Sequence, residues 1–377
     1  IDGEESPPMT LDALPRRTLT PRPGVLDIAP YKGGESAAPG ANRVFKLSAN
    51  ENPYGASPAA VEAFRACADR LADYPDGGAT ALREAIAEAE GLEAGRIVCG
   101  AGSDELISLL CQAYAGPGDE VVHSRHGFLM YAISARAAGA TPIAAPEAAL
   151  TADVDALLAA CTERTTLLFL ANPNNPTGTL LPAAEVARLA DGLPPQTLLV
   201  LDAAYAEYVA APDYDPGAGL VAARENVAML RTFSKIHGLA ALRLGWLYGP
   251  EPVVDVLQRV RGPFNVNAPA IAAGAAAVAD RAHVEASVAK NAEWRRWLAA
   301  RLAEQGIACT ESHGNFLLAD VGEETAPDLD AFLKARGLIC RRMEGYGLPG
   351  RLRVTVGTGE ACEAVATAIA AFRAERA

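Results

Sequence analysis

The chain has 377 residues, half of them apolar, enough to bury more than one small core and so to form two globular domains. Its formal charge of −13 disfavours polyanionic partners, which sets aside nucleic acid and anionic membrane surfaces. No apolar run reaches the roughly 20 residues of a spanning helix, and the acidic start Ile1-Asp2-Gly3-Glu4-Glu5 is unlike a secretory signal, so the expected location is cytoplasmic.

Residues before Met9 are set aside from the fold. From Ile1 to about Ala41, Pro, Gly and Ser dominate without periodicity, which suits an irregular arm lying over a folded body and able to reach a second subunit. Beyond Ser57, helical spacing over Pro58 to Ala72, Thr80 to Glu90 and Asp104 to Ala113 alternates with a β-branched stretch at Arg96 to Cys99. Such alternation predicts a layered α/β fold. Between the stretch at Arg96 to Cys99 and the helix that follows lies Gly100-Ala-Gly-Ser-Asp-Glu105. There the backbone N–H groups of Gly102, Ser103 and Asp104 can face an anion at a helix N-terminus. Glu105 stands where a dinucleotide-binding G-x-G-x-x-G needs its third glycine, which argues against a dehydrogenase.

Three short apolar runs follow: Thr166 to Leu170, Thr197 to Leu201, and Val227 to Leu230. Each lacks in-out alternation and reads as a buried parallel strand. Polar residues follow each run, at Asn172 to Asn175, at Asp202, and at Thr232 to Lys235, where open parallel sheets bind ligands. After Asn267 come an Ala-rich segment, a helix over Glu285 to Leu302, and strands at Asn315 to Ala319 and Arg351 to Val356. The division expected is an arm with part of the small domain over 1–46, a large domain over 47–267 and a small α+β domain over 268–377.

Lys235, flanked by hydroxyls just past a buried strand, would lose its proton readily and so could form an imine with an aldehyde. Thr232, Ser234 and Arg243 would then face a phosphate on the same cofactor. Taken alone, such a lysine is equally read as an exposed one. Asp202 could keep a pyridine nitrogen protonated, while Tyr205 and Asn175 bond a ring oxygen. The seven cysteines (Cys67, Cys99, Cys111, Cys161, Cys309, Cys340, Cys362) form no C-x-x-C pair, and the five histidines no H-E-x-x-H. Reduced thiols and no metal are therefore expected.

Asn175-Pro-Thr-Gly178, then Asp202-x-x-Tyr205, then Ser234-Lys235 with Arg243 eight residues on, resemble in order and spacing the fold-type I aminotransferases. Through Asn50-Glu-Asn-Pro-Tyr-Gly55, Tyr74-Pro-Asp76 and Leu352-Arg-Val-Thr-Val-Gly-Thr358, the resemblance runs from about Leu47 to the C-terminus and is nearest the histidinol-phosphate aminotransferases. It implies an aspartate-aminotransferase-like fold: a large domain with a mostly parallel sheet between helices, plus a smaller α+β domain. It also implies pyridoxal 5′-phosphate, a small-molecule amino donor with a 2-oxo acid, and a homodimer with shared active sites. Under it, Tyr74 would reach the neighbouring subunit's cofactor phosphate, Phe128 would stack on the ring, and Arg353 would clamp the substrate's anionic group with Arg341 and Tyr31 nearby. Two departures are visible: Ala203 replaces the usual glutamate of D-E-A-Y, and Phe128 stands where some relatives carry tyrosine. The expected reaction is transamination between L-histidinol phosphate and 2-oxoglutarate. Alternatives are an aromatic amino-acid aminotransferase, a phosphothreonine decarboxylase and a non-catalytic cofactor-binding module, the last disfavoured by the lack of a basic helix-turn-helix.

Overall fold

The structure, a computed structural model, describes residues 20–31, 33–38, 40 and 42–376. The segment before Met9, and the part of the expected arm up to residue 19, lie outside the described residues.

In chain order the strands are β1 (Phe45–Lys46), β2 (Ile97–Gly100), β3 (Glu120–Ser124), β4 (Thr141–Ala145), β5 (Glu147–Ala148), β6 (Thr151–Ala152) and β7 (Thr165–Ala171). They continue with β8 (Leu198–Asp202), β9 (Val227–Thr232), β10 (Gly245–Tyr248), β11 (Phe316–Asp320), β12 (Leu338–Ile339), β13 (Arg341–Met343) and β14 (Leu348–Thr355). A seven-stranded sheet has the order β2-β10-β9-β8-β7-β3-β4, and β10 alone runs antiparallel to its neighbours.

The apolar runs form β7, β8 and β9 because both faces of the sheet are covered. Leu168, Leu170, Leu199, Leu201, Val227 and Met229 pack into one hydrophobic cluster. The residues between them, Leu167, Phe169, Leu198, Val200, Ala228 and Leu230, pack into the other. A strand buried on both sides has no polar face to alternate with, so its sequence reads as a continuous run.

Local signals set several helices. Ser57 caps Pro58–Arg65 by accepting from the Ala60 N–H at 3.2 Å, with proline at the first helical position. That helix stops at Arg65, short of the expected Ala72, because residues 68–73 are all exposed or nearly so and give a continued helix nothing to bury. The helix Thr80–Glu90 falls where its spacing predicts.

A second unit holds the antiparallel sheet β11-β14-β13 and the helices Arg281–Glu304, Ala326–Ala335 and Gly359–Ala374, whose apolar residues share a separate cluster. The helix Ala268–Ala279, expected to open the small domain, packs instead in the large unit against the helices Pro58–Arg65 and Thr80–Glu90, where Ala270, Ile271 and Val278 join the cluster of Leu82 and Leu244. Conversely β1 pairs in parallel with β12, and Leu47 joins the small unit's core. All seven cysteines are free thiols. Among the described residues no helix is long and apolar enough to cross a membrane.

The loop bearing Lys235 is seated by Gly238, whose φ is +67°; an added Cβ would fall well inside contact distance of the Gly55 carbonyl and the Ala56 nitrogen, both backbone. Gly238→Ala is therefore expected to cost about 1–3 kcal/mol in backbone strain and displacement, read as a lowered melting temperature of the apoprotein; an unchanged melting temperature would refute the tight seating.

Candidate active site

The carboxyl ends of β7, β8 and β9 open into a cavity of about 280 Å³ closed on its far side by β13 and β14. Its walls include Tyr31, Ser103, Asp104, Phe128, Asn175, Asp202, Tyr205, Thr232, Ser234, Lys235, Arg243, Arg341 and Arg353. Gly102, at φ +88°, lies just behind the wall, and a side chain there would collide with the Arg243 guanidinium. Tyr74, expected at the neighbouring subunit's site, does not line this cavity; it is 82% exposed and stacks on Phe264 at 4.6 Å.

Asp202 ends β8, on the sheet face that carries Leu198 and Val200. Its Oδ2 accepts a 2.6 Å hydrogen bond from the Tyr131 hydroxyl, and Oδ1 accepts from the Ala204 N–H at 3.2 Å. Burial pushes its carboxyl up to about 6, against the opposing pull of the Tyr131 hydrogen bond. Tyr131 is fully buried and stacks on Phe169 at 4.7 Å, with the half-buried Phe128 edge-on at 5.9 Å. Nothing in sequence spacing points to Tyr131, because its partner lies 71 residues away on another element.

The Lys235 Nζ donates to the Ala49 carbonyl at 3.2 Å and lies 5.8 Å from the Tyr205 ring centroid. Burial, joined by the positive charge of Arg353, brings its ammonium down to about 8. The free amine, which can attack a carbonyl or take up a proton, is therefore a minor share at neutral pH and grows as pH rises toward 8.

A group of donors lies beside it. The Thr232 hydroxyl oxygen accepts from the Ser234 N–H at 3.1 Å, and the Ser234 hydroxyl oxygen accepts from Arg243 Nη1 at 3.3 Å, so both hydroxyl hydrogens are left to donate. Arg243 Nη2 donates to Asp104 at 3.2 Å. The helix Ser103–Tyr114 begins here, adding free backbone N–H groups and the positive end of its dipole. Hydroxyls, a guanidinium and a helix N-terminus together form a donor set for a phosphate, and the amine of Lys235 stands next to it.

Opposite, Arg341 on β13 and Arg353 on β14 are direct cross-strand partners. Arg353 is 3% exposed; Nη1 donates to the Asn175 Oδ1 at 2.5 Å, Nη2 to the Ser48 carbonyl at 2.7 Å, and its buried Nε has no hydrogen-bond partner among the described residues. Burial lowers its proton affinity, and the neighbouring charge of Arg341 adds to that. Arg341 lies 5.6 Å from the Tyr31 ring.

Four consecutive carbonyls of the segment between β1 and the first helix are each claimed by a different donor. Leu47 accepts from the Thr355 N–H at 2.9 Å, Ser48 from Arg353, Ala49 from Lys235, and Asn50 from the Asn315 amide at 3.0 Å. Asn50 also donates from its side chain to the Tyr205 hydroxyl at 2.9 Å. Sequence reading singled out 50–55 as a motif but gave Asn50 no task.

Residues 42–369 match the family model described as aminotransferase class I and II. The chain is 58% identical over 360 residues to a protein of Dinoroseobacter shibae named histidinol-phosphate aminotransferase, covering 95% of this chain and 99% of that one. A protein of the same name from Ruegeria sp. is 56% identical, over 94% of this chain and 98% of its own. The solved structure of histidinol-phosphate aminotransferase from Sinorhizobium meliloti in complex with pyridoxal 5′-phosphate superposes with a TM-score of 0.88 at 28% identity, covering 98% and 100% of the two chains.

The raised Asp202 carboxyl has a consequence for stability. Between its ordinary 3.8 and about 6 the folded chain holds a proton that the unfolded chain has lost, so ionising Asp202 costs stability as pH rises through that window, and the cost persists above it. Asp202→Asn should therefore stabilise the apoprotein at pH 7.5 by on the order of 1–3 kcal/mol, the gain vanishing near pH 4. Thermal melts across that range check it; a variant less stable than the parent at pH 7.5 would exclude a carboxylate held at a cost.

Proposed function

The chain belongs to the aminotransferase class I and II family and is a fold-type I, pyridoxal-phosphate-dependent enzyme that moves an amino group from a donor to an acceptor, and we propose that the donor is L-histidinol phosphate and the acceptor 2-oxoglutarate, in histidine biosynthesis. The observation that carries this reading is the in-register pair Arg341 and Arg353, which presents two guanidinium groups across the cavity from Lys235. Guanidinium suits both a phosphate and a carboxylate, so one site can hold the anionic end of each substrate in turn. The names of relatives 58% and 56% identical support the same donor.

The donor set at Thr232, Ser234, Arg243 and the helix at Ser103 fits the cofactor's phosphate, with Lys235 placed for its aldehyde. When bound, the cofactor supplies an electron sink that stabilises negative charge at the substrate's α-carbon. The residues of the chain do the rest. Asp202, held by Tyr131, would face the ring nitrogen and keep a proton there. Tyr205 and Asn175 would hold the ring oxygen, and the half-buried Phe128 would stack on the ring. Lys235, when not bonded to the cofactor, would be a free base near the α-carbon, able to take up that carbon's proton at Nζ and deliver it to the cofactor's aldehyde-derived carbon, two atoms away. Arg353 fixes the substrate so that this proton lies within reach of Nζ.

Exposure of the stacked Tyr74 and Phe264 supports a homodimer, in which Tyr74 completes the partner's phosphate site. Mixing Lys235→Ala chains with Tyr74→Ala chains should then restore roughly a quarter of parental activity through hybrid dimers carrying one intact site. No recovery would exclude a shared site. The proposed place of action is the cytosol.

Purified enzyme should produce glutamate from 2-oxoglutarate with L-histidinol phosphate far faster than with phenylalanine; the reverse order would make it an aromatic aminotransferase. Borohydride should fix the cofactor on Lys235, and a label found on another lysine would overturn that assignment. Arg353→Lys keeps the charge but loses the two-pronged geometry, so both Michaelis constants should rise roughly tenfold or more while the cofactor absorbance is unchanged. Unaltered Michaelis constants for both substrates would remove Arg353 from substrate binding.

A further inference from the structure

Asn50 is 1% exposed and holds a left-handed backbone, φ +57°, a conformation that asparagine tolerates better than most residues. Every polar group it carries is engaged. Its N–H donates to the Thr355 Oγ1 at 3.0 Å, its carbonyl accepts from Asn315, its Oδ1 accepts from Thr355 Oγ1 at 3.1 Å, and its Nδ2 donates to the Tyr205 hydroxyl at 2.9 Å.

The Thr355 hydroxyl accepts from the Asn50 N–H and donates its one hydrogen to Asn50 Oδ1, which leaves Oδ1 on the Thr355 side of the amide. The amide is thereby fixed with Nδ2 toward Tyr205. Tyr205 oxygen accepts there, so its own hydrogen must be donated on another side, and both residues line the cavity.

We propose that Asn50 is a positioning residue: locked by Thr355 of β14, it turns the Tyr205 hydroxyl hydrogen into the cavity, where that hydrogen is donated to the oxygen of the cofactor ring. The assignment rests on the reading that the cavity holds pyridoxal phosphate on Lys235. It makes a strand of the small unit a part of the cofactor site through a relay of two hydrogen bonds.

The test uses neutral substitutions. Asn50→Gly keeps the left-handed backbone and removes the amide; Thr355→Val keeps the shape and frees the amide to turn over. Each is made in the parent and in Tyr205→Phe, and two quantities are read on the loaded protein: the pH midpoint of the visible absorbance change and the dissociation constant of the cofactor. A donor to the ring oxygen favours the form with most negative charge on that oxygen, which is the deprotonated one. Losing that donor should raise the midpoint, by as much as one pH unit, and weaken cofactor binding. Arg353, Asp202 and Lys235, the charged groups around Tyr205, are the same in all variants and cancel in the comparison.

The expected result is that both substitutions raise the midpoint in the parent and neither moves it further in Tyr205→Phe. An unmoved midpoint in the parent, or an equal shift in both backgrounds, overturns the proposal, since Asn50 would then not act through Tyr205. A parent protein that gains no borohydride-sensitive absorbance would instead overturn the cofactor reading.

Discussion

Parallel pairing of β7, β8 and β9 is the constraint on which the site depends. Parallel strands bonded to one another must all end on the same edge, so the residues that follow them meet whether or not they are near in sequence. Asp202 is in register with Ala171 on one side and Leu230 on the other, which fixes how far the loops of Asn175 and Lys235 stand from the carboxylate. Burial of both sheet faces then forbids a slip of register, since each strand would move its residues from one packed cluster into the other.

Charge completes what the sheet begins. Arg243, Arg341, Arg353 and Lys235 surround the cavity, with Asp202, Asp104 and Glu51 against them. Burial is the main cause of the lowered proton affinity of Lys235 and Arg353, and the neighbouring cations add to it. A phosphate and a second anion would relieve that repulsion at opposite ends of one space. Enclosure and positive neighbours thus act together to keep the amine of Lys235 partly unprotonated beside groups suited to anions.

Residues that sit directly after strands were legible in the sequence, because a buried run and its polar terminus are local signals. Lys235, Asp202, Tyr205, Asn175, Thr232 and Ser234 all belong to this class, and the cavity gathers them. Tyr131 and the task of Asn50 were not legible. Each acts through a contact spanning a large stretch of chain, 71 residues to Asp202 in one case and 305 to Thr355 in the other. The helix Ala268–Ala279 went to the small unit in the sequence for a similar reason. Its Ala-rich surface carries little directional pattern, and it is the fold, with Leu82 and Leu244 closely packed on Gly274, that assigns it to the large unit.

The run of claimed carbonyls from Leu47 to Asn50 bears on how this enzyme can change over time. Its four acceptors serve the backbone of Thr355 on β14, Arg353, Lys235 and the small unit's Asn315. Substitution of side chains at Leu47 or Ala49 leaves those backbone acceptors in place. Insertion or deletion of one residue shifts all of them against donors that are fixed elsewhere. Length is therefore more tightly constrained in this segment than side-chain identity at Leu47 and Ala49.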